Sequence, residues 1–492
     1  MTTNYHTPIA VGAAANAATF NSPLGELDAA ITAGTGLNPD GSTTGATAAA
    51  QPFTVGVTLA DTTTSASGII FKAADRFIHN FHHPTGNTAV PDGYNTFVGV
   101  NAGNFTMGST ATETYHGSYN SAFGYASLVS NTTGYGNTAI GFFALYTNTT
   151  GYDNVAIGMG ALYANTTGSN MIASGYHALY ANTTGANNTA VGHNSLDACT
   201  EGSGNTAVGS SALTASTTAN HNTGIGYYAL AATTTGEYNT AVGSLALTAN
   251  TTASYNTAVG YGALDAATTA VDNVAIGYNA MTAATGSYNT AVGSKALSTN
   301  TAGRSNVTIG YASMLDNTSG DYTTALGAET LVNNTTASFN TAVGYGAMYF
   351  NTTGASCTVV GNSALGSNTT GSNNIAIGLG AAIYHADGAT ALETPENSIY
   401  IGTHCRGKDD SDSNSIVIGY QAIGLGANTT VIGNTSTTLT ALPAGAFRLS
   451  EMAAPTGAAN TATIYAVDNG AGKTQLMVIF GSGAAQQISI EP

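Results

Sequence analysis

The sequence predicts an all-β chain, a parallel β-solenoid built from 17-residue coils. Three observations carry this expectation. The phrase NTAVG and its variants recur at a fixed interval. A turn phrase, usually Asn-Thr-Thr-Gly, follows each copy at a fixed distance. Only 7% of the 492 residues are charged while 43% are hydrophobic, a balance that calls for regular burial and does not fit a disordered chain.

The repeat glycine falls at Gly124, Gly141 and Gly158 and continues at intervals of 17 to Gly277. One interval of 16 leads to Gly293, and the 17-residue rhythm resumes to Gly378. Outlying copies end at Gly99, Gly402, Gly419 and Gly433. With this glycine as position 0, position −4 is usually Asn, −3 Thr or Val, −2 Ala and −1 Val or Ile. Position +3 is commonly Ala and +4 Leu or Met, with the turn phrase at +7 to +10. Such a unit is too short for a pair of helices, and its Gly and β-branched residues disfavour helix. It suits one coil with a strand at −4 to 0, a second strand at +1 to +5, and a turn whose Gly tolerates positive φ.

Strand alternation then separates two faces. The expectation is that the branched residues at −3 and −1 point into the coil against Leu at +4. The Ala and Gly side at −2 and 0 is then flat enough to meet another chain. Asn at −4 is expected to stack as a ladder. The short interval falls in MTAATGSYN, residues 281–289, where the residue is lost from a turn and both strands stay whole. So few large apolar side chains per coil favour self-association, as a homotrimer. About twenty coils at ~4.8 Å each give a stack of about 95 Å.

The phrases NVAIGMGAL (154–162) and NNIAIGLGA (373–381) resemble the repeat of trimeric autotransporter adhesin heads, the YadA-like left-handed parallel β-roll. The resemblance covers about residues 94–434 and implies a trimer. The adhesin unit is shorter, and the interval from Gly419 to Gly433 is close to it. Two features depart from the adhesins: no secretory signal is recognisable at the start, and ISIEP closes the chain without a pattern of membrane-anchor strands.

The ends read differently, and four regions are expected. Residues 1–50 form an attachment segment and linker, in which Asn21-Ser22-Pro23 caps a short amphipathic helix with Leu24, Leu27 and Ile31 on one face. Residues 51–93 form a β-rich junction with strand-like FTVGVTL and GIIFKA. Residues 94–439 are the solenoid shaft. Residues 440–492 form a cap in which TATIYAV, TQLMVIF and QQISI make a three-stranded antiparallel meander. The opening NYHTPIA and the closing VDNGAGKTQLMVIF resemble the ends of bacteriophage tail-fibre proteins. That resemblance implies a segment that attaches to a virion tail or baseplate and a distal tip that meets the host.

The formal charge of −17 argues against nucleic acid and anionic membranes as partners. Between Gly93 and Asn397 the only cations are Lys295 and Arg304. No apolar run is long enough to insert in a membrane as a helix. Cys199, Cys357 and Cys405 are too few and too scattered for a disulfide framework and read as small buried hydrophobes.

Several side-chain clusters have residue types that can carry chemistry. His79, His82 and His83 offer imidazoles for a metal on a threefold axis, although polar packing explains them as well. Asp410 and Asp412 begin a calcium-loop pattern that lacks its later glycine and glutamate. Aromatic residues recur at −5 (Tyr119, Tyr238, Tyr255, Tyr288, Tyr322, Phe339) and at +1 (Tyr125, Tyr227, Tyr261, Tyr278, Tyr311, Tyr345). They suit either coil-edge packing, the preferred reading, or sugar stacking along the shaft. The paired threonines read as turn chemistry, since adjacent residues cannot form one flat ice-binding array. His177 and His193 sit on neighbouring coils without a recognisable acid or nucleophile. No catalytic, metal or cofactor site is assigned.

The functional expectation is therefore a non-enzymatic fibre with no cofactor, located on a virion or, alternatively, at a cell surface. It is a homotrimeric receptor-binding rod that meets a host surface glycan or protein. A cellular trimeric adhesin or surface-filament subunit, and a glycan-degrading tailspike, are the alternatives.

Overall fold

A computed structural model describes residues 75–437 continuously, together with the short strand segments named below. Gly36–Leu37 pairs antiparallel with Thr43–Thr44. The helix expected near residue 21 and the FTVGVTL run lie outside the described residues. Ile70–Lys72, from the expected GIIFKA strand, pairs antiparallel with Asp75–His79. Asp75–His79 pairs antiparallel with Thr96–Val98, where the parallel ladder begins. This hairpin covers one edge of the ladder, a place where unpaired strand groups would otherwise be exposed.

Twenty three-residue strands, from Thr96–Val98 to Thr430–Ile432, stack one per coil. The register is strict: Thr189, Ala190 and Val191 pair with Thr206, Ala207 and Val208. It survives the short interval, where Val274, Ala275 and Ile276 meet Thr290, Ala291 and Val292. The missing residue therefore lies in the turn, as expected. The solenoid of 17-residue coils is the fold. At the C-terminus, Ala462–Asp468, Thr474–Phe480 and Gln486–Ser489 form the expected three-stranded antiparallel sheet.

Two expectations about the coil are corrected. The first is which face points inward. Ala139, Ala144 and Leu145, at −2, +3 and +4, are fully buried, and the same holds coil after coil. The branched residues at −3 and −1 point outward: Thr138 is half-buried and Ile140 exposed. The interior is narrow, so in most coils the strand contributes only the methyl group of Ala and Leu fills the remainder, with Thr308, Val359 and Val417 as the buried branched exceptions at −2. Aromatic side chains take the −2 place only at Phe97 and Tyr400, beside the longer intervals of 25 and 24 residues.

The second correction concerns +1 to +5, which is a turn and not a second strand. Positions +2 and +4 adopt left-handed backbone, as at Phe143 (φ 58°) and Leu145 (φ 51°). A coil this short has to reverse direction sharply, and left-handed residues provide the bend. The +4 residue is Leu, Met or Ala wherever it is left-handed in the regular coils, since a β-branched side chain is strongly disfavoured there. The segment is still tied to its neighbours: the Phe143 N–H donates to the Tyr125 carbonyl and the Leu145 N–H to the Ala161 carbonyl, both at 3.0 Å. The repeat glycine is required for close stacking. Gly226 has φ +137°, and a Cβ there would lie 2.5 Å from the carbonyl oxygen of Gly243 on the next coil.

Two buried asparagine ladders hold the coils together. Asn120 Oδ1, at −4, accepts the backbone N–H and the side-chain amide of Asn137, each at 3.1 Å. Asn148 Nδ2, at +7, donates to Asn131 Oδ1 at 2.9 Å. The two ladders converge, because Asn137 and Asn148 both donate to the Gly151 carbonyl, at 2.9 and 3.0 Å. Asn at −4 was expected to stack. Asn at +7 opens the turn phrase, yet it is fully buried; the exposed part of that turn is at +9, as at Thr150. Thr at +8 makes a third ladder, with the Thr149 hydroxyl donating to the Thr166 carbonyl at 2.9 Å.

Where the +7 ladder is interrupted, a buried acceptor is orphaned. Asn182 Oδ1 has no hydrogen-bond partner where Cys199 follows, and neither has Asn250 Oδ1 where Ala267 follows. This gives two opposite stability predictions. Asn222→Ala removes a bond to the Gly236 carbonyl (2.7 Å) and the acceptor for Asn239 (2.9 and 3.1 Å). It should cost about 1–3 kcal/mol, read as earlier thermal or denaturant unfolding. Ala267→Asn with Ala284→Asn carries the +7 ladder unbroken from Asn250 to Asn300, supplies the missing donor to Asn250 and should stabilise by about 1 kcal/mol in the same assay.

Candidate functional site

The outward strand face presents an apolar stripe. Every residue at −1 is half-buried or exposed, and the exposed hydrophobic ones range from Val191 at 37% to Ile432 at 56%. Position +1 continues the stripe beyond the glycine with Tyr125, Phe142, Met159, Tyr227, Tyr261 and Tyr278, all exposed. An exposed apolar row of this extent is the kind of surface that marks an interaction face.

Aromatic residues form columns along the coils. At +1, Tyr125 stacks on Phe142 at 5.3 Å and Tyr261 on Tyr278 at 5.6 Å. At −5, Tyr238 stacks on Tyr255 at 5.3 Å and Tyr322 on Phe339 at 5.4 Å. The −5 residues named from the sequence are 47–62% exposed, so they do not close the core. Tyr119 donates to Asp92 Oδ2 at 2.7 Å, and this bond to a carboxylate raises its phenol pKa. Two further columns escaped the sequence reading: Tyr135 on Tyr152 at 4.9 Å, and Tyr146, Tyr163 and Tyr180 at 5.1 and 4.9 Å. Their signal was the same 17-residue spacing at −6 and +5. Rings stacked this closely occupy each other's faces. A sugar ring has no face to lie on inside such a column, so sugar stacking along the whole shaft does not fit the geometry.

The histidines of the junction occupy three separate environments. His79 is buried, with Nε2 2.8 Å from the Ala102 carbonyl and its ring between Phe97 (4.8 Å) and Phe105 (5.0 Å). His82 lies beside Gly93. His83 Nδ1 accepts the Gly86 N–H at 3.0 Å. Asp410 and Asp412 also diverge. Asp410 is 3.1 Å from His385 Nε2 and accepts the Glu393 N–H at 2.6 Å. Asp412 is buried under Tyr400, accepting its hydroxyl at 3.3 Å and the Lys408 N–H at 2.9 Å. Burial raises the pKa of Asp412, and burial with the adjacent Asp412 raises that of Tyr400. Among the described residues no three His, Cys, Asp or Glu side chains converge as metal ligands.

His177 and His193 do have an acidic neighbour, Asp197, at +5, which the sequence does not show because the expected second strand at +1 to +5 is in fact a turn that brings it beside them. Burial raises the Asp197 pKa and the two histidines lower it. Tyr176 stacks between the imidazoles, 3.9 Å from His177 and 5.1 Å from His193. The group carries no positioned nucleophile and reads as a packed polar cluster.

The cysteines are free and buried, as expected. Cys199 and Cys357 replace ladder asparagines, and each makes a weak sulfur bond to the carbonyl that Asn would reach, Gly202 at 3.5 Å and Gly371 at 3.6 Å. Burial pushes all three thiols up to about 11. The thiolate is the reactive form, and at neutral pH it is a very small fraction of a buried thiol with so high a pKa. At pH 8 a disulfide reagent should therefore titrate almost no thiol in the folded protein and all 3 after denaturation.

Compared with known families and curated proteins, the chain matches no family model and no curated protein.

Proposed function

We propose that the chain is a non-enzymatic structural fibre: a homotrimer whose solenoid is a stiff spacer, carried on a virion and meeting a host cell-surface glycan or protein. The N-terminal segment, residues 1–50, is its attachment to a tail or baseplate, and the C-terminal sheet is its distal end. The left-handed sense of the coil implied by the adhesin resemblance belongs to the same reading.

The observation that carries it is the apolar stripe at −1 and +1. At −1 it runs along nearly every coil, and at +1 it is interrupted by polar residues such as His193, Ser210, Ser244 and Ser294, on a stretch with few charged side chains. Three copies meeting along that stripe remove it from water, which a single solenoid cannot do. The face is the opposite of the one expected from alternation alone, yet the need for partners is the same. Such an assembly works by avidity: linked copies raise the effective concentration of weak contacts without any single tight one.

Light scattering on the full chain should return about three times the 48.9 kDa chain mass. Ile225→Lys with Ile276→Lys, both exposed on the stripe, should shift it to one chain mass while the thermal transition persists. A wild-type monomer overturns the proposal.

A further inference from the structure

The repeat is broken on one flank of the solenoid, and the break makes a cleft. At +5, consecutive coils carry stacked rings early in the chain (Tyr146, Tyr163, Tyr180). Later the same column reads Tyr349, Gly366, Ile383. Gly366 removes one side chain from the column. Tyr349 and Ile383 are thus two coils apart, about 9.6 Å at the parallel strand spacing. One flat ring in contact on both sides needs about 7–8 Å. The slot is the width of a single ring.

The next interval, from Gly378 to Gly402, is 24 residues, seven more than the repeat, and the extra chain raises a rim. Tyr384 bridges to Ala391 at its base and is exposed. The slot is a groove of about 430 Å³ with Tyr349 and Phe350 on one side, Ile383 and Tyr384 on the other, and Gly366 as floor. Ser363, Ser367 and Glu329 supply polar groups. Glu329 is fixed by the Tyr345 hydroxyl at 2.8 Å. A second groove of about 600 Å³ adjoins it, sharing Phe350 and Ser367 and running past Thr335, Thr352 and Thr369 to Asp316 and Glu393. Across both grooves the lining has three carboxylates and no Lys or Arg.

We propose that the two grooves form one binding cleft for a neutral or amino-bearing oligosaccharide. One pyranose ring sits over Gly366 with its apolar C–H faces against Tyr349 or Phe350 and against Ile383. Its hydroxyls reach Ser363, Ser367 and Glu329, and adjoining sugars follow the threonine rim. Uronic-acid chains are rejected by the carboxylates. An extended peptide is a poorer fit, because the local backbone is already bonded between coils: the Phe350 N–H to the Gly366 carbonyl at 3.1 Å, and the Thr352 N–H to the Thr369 carbonyl at 2.8 Å. The inference places the host contact of the proposed fibre on its shaft and rests on that reading for its biological meaning; the binding itself does not depend on it.

The test is titration calorimetry on the full-length protein with three probes: N-acetylglucosamine trimer, maltotriose and trigalacturonic acid. Saturable binding is expected for at least one neutral trimer and none for trigalacturonic acid. Gly366→Tyr rebuilds the stacked column and should weaken binding by roughly tenfold or more. The turn already carries a tyrosine one coil earlier: Tyr349 N–H bonds the Gly346 carbonyl at 3.3 Å, as Gly366 N–H bonds Ser363 at 3.1 Å. Its mass should therefore match the wild type. A Cβ at 366 would lie 3.0 Å from the Ser363 carbonyl oxygen, a tight approach, so its melting temperature should fall, by at most about a few degrees. Phe350→Ala removes an exposed ring and should weaken binding comparably. Failure of both neutral trimers to bind overturns the inference, as does unchanged affinity in either variant or equal affinity for trigalacturonic acid. Chain mass by light scattering reports on the trimer separately, so the two proposals fail independently.

Discussion

The rest of the structure depends on how a very narrow coil satisfies its buried polar backbone. A coil whose strand buries mostly alanine is narrow, yet it reverses direction sharply and leaves turn carbonyls such as that of Gly151 facing the core. The carboxamides at −4 and +7 resolve this. Each carries an acceptor and two donors, so it can bond along the stack and still reach the turn carbonyl, as Asn137 and Asn148 both do at Gly151. An unmet buried amide or carbonyl costs more than a typical made bond gains, so the ladders select for stacking in one register. Substitutions in the ladders follow the same logic. Cysteine at 199 and 357 keeps a weak form of the bond, and Met171 offers its sulfur to Asn182 at 3.5 Å.

Much of this was legible in the sequence. The 17-residue interval gave the coil, the Asn at −4 gave one ladder, and the short interval located a turn. TATIYAV, TQLMVIF and QQISI gave the C-terminal sheet. The direction of the strand faces was not legible, because alternation separates two sides without saying which is inside. Branched residues favour strand backbone on either face. The width of the coil decides, and that width follows from left-handed residues at +2 and +4. Leucine is no usual marker of that conformation. The sign was negative: no Val, Ile or Thr occupies +4 in the regular coils. Asp197 beside His177 and His193, and the stacked columns at −6 and +5, were present in the spacing, but their proximity follows from a turn at +1 to +5 where alternation suggested a strand.

Regularity and recognition are separated in this fold. A constant coil gives an unchanging outer stripe, suited to identical partners laid side by side. A unique ligand needs a unique surface, and the solenoid offers one where the sequence departs from its own pattern. Gly366 takes a side chain out of a column and the 24-residue interval adds a rim beside it. Both departures fall within neighbouring coils, while the core residues there, Leu365 and Ala381, stay fully buried. The scaffold is thus undisturbed beneath the altered surface.

The orientation of every coil rests on the buried asparagines. Side-chain amide hydrogen exchange, followed by nuclear magnetic resonance on protein with labelled asparagine nitrogen, reads them directly. The ladder residues, among them Asn222 and Asn239, should exchange as slowly as the backbone amides of the strands, while exposed Asn362 exchanges at the rate of a free carboxamide. Fast exchange at the ladder positions would contradict the inward asparagines and, with them, the orientation of every coil.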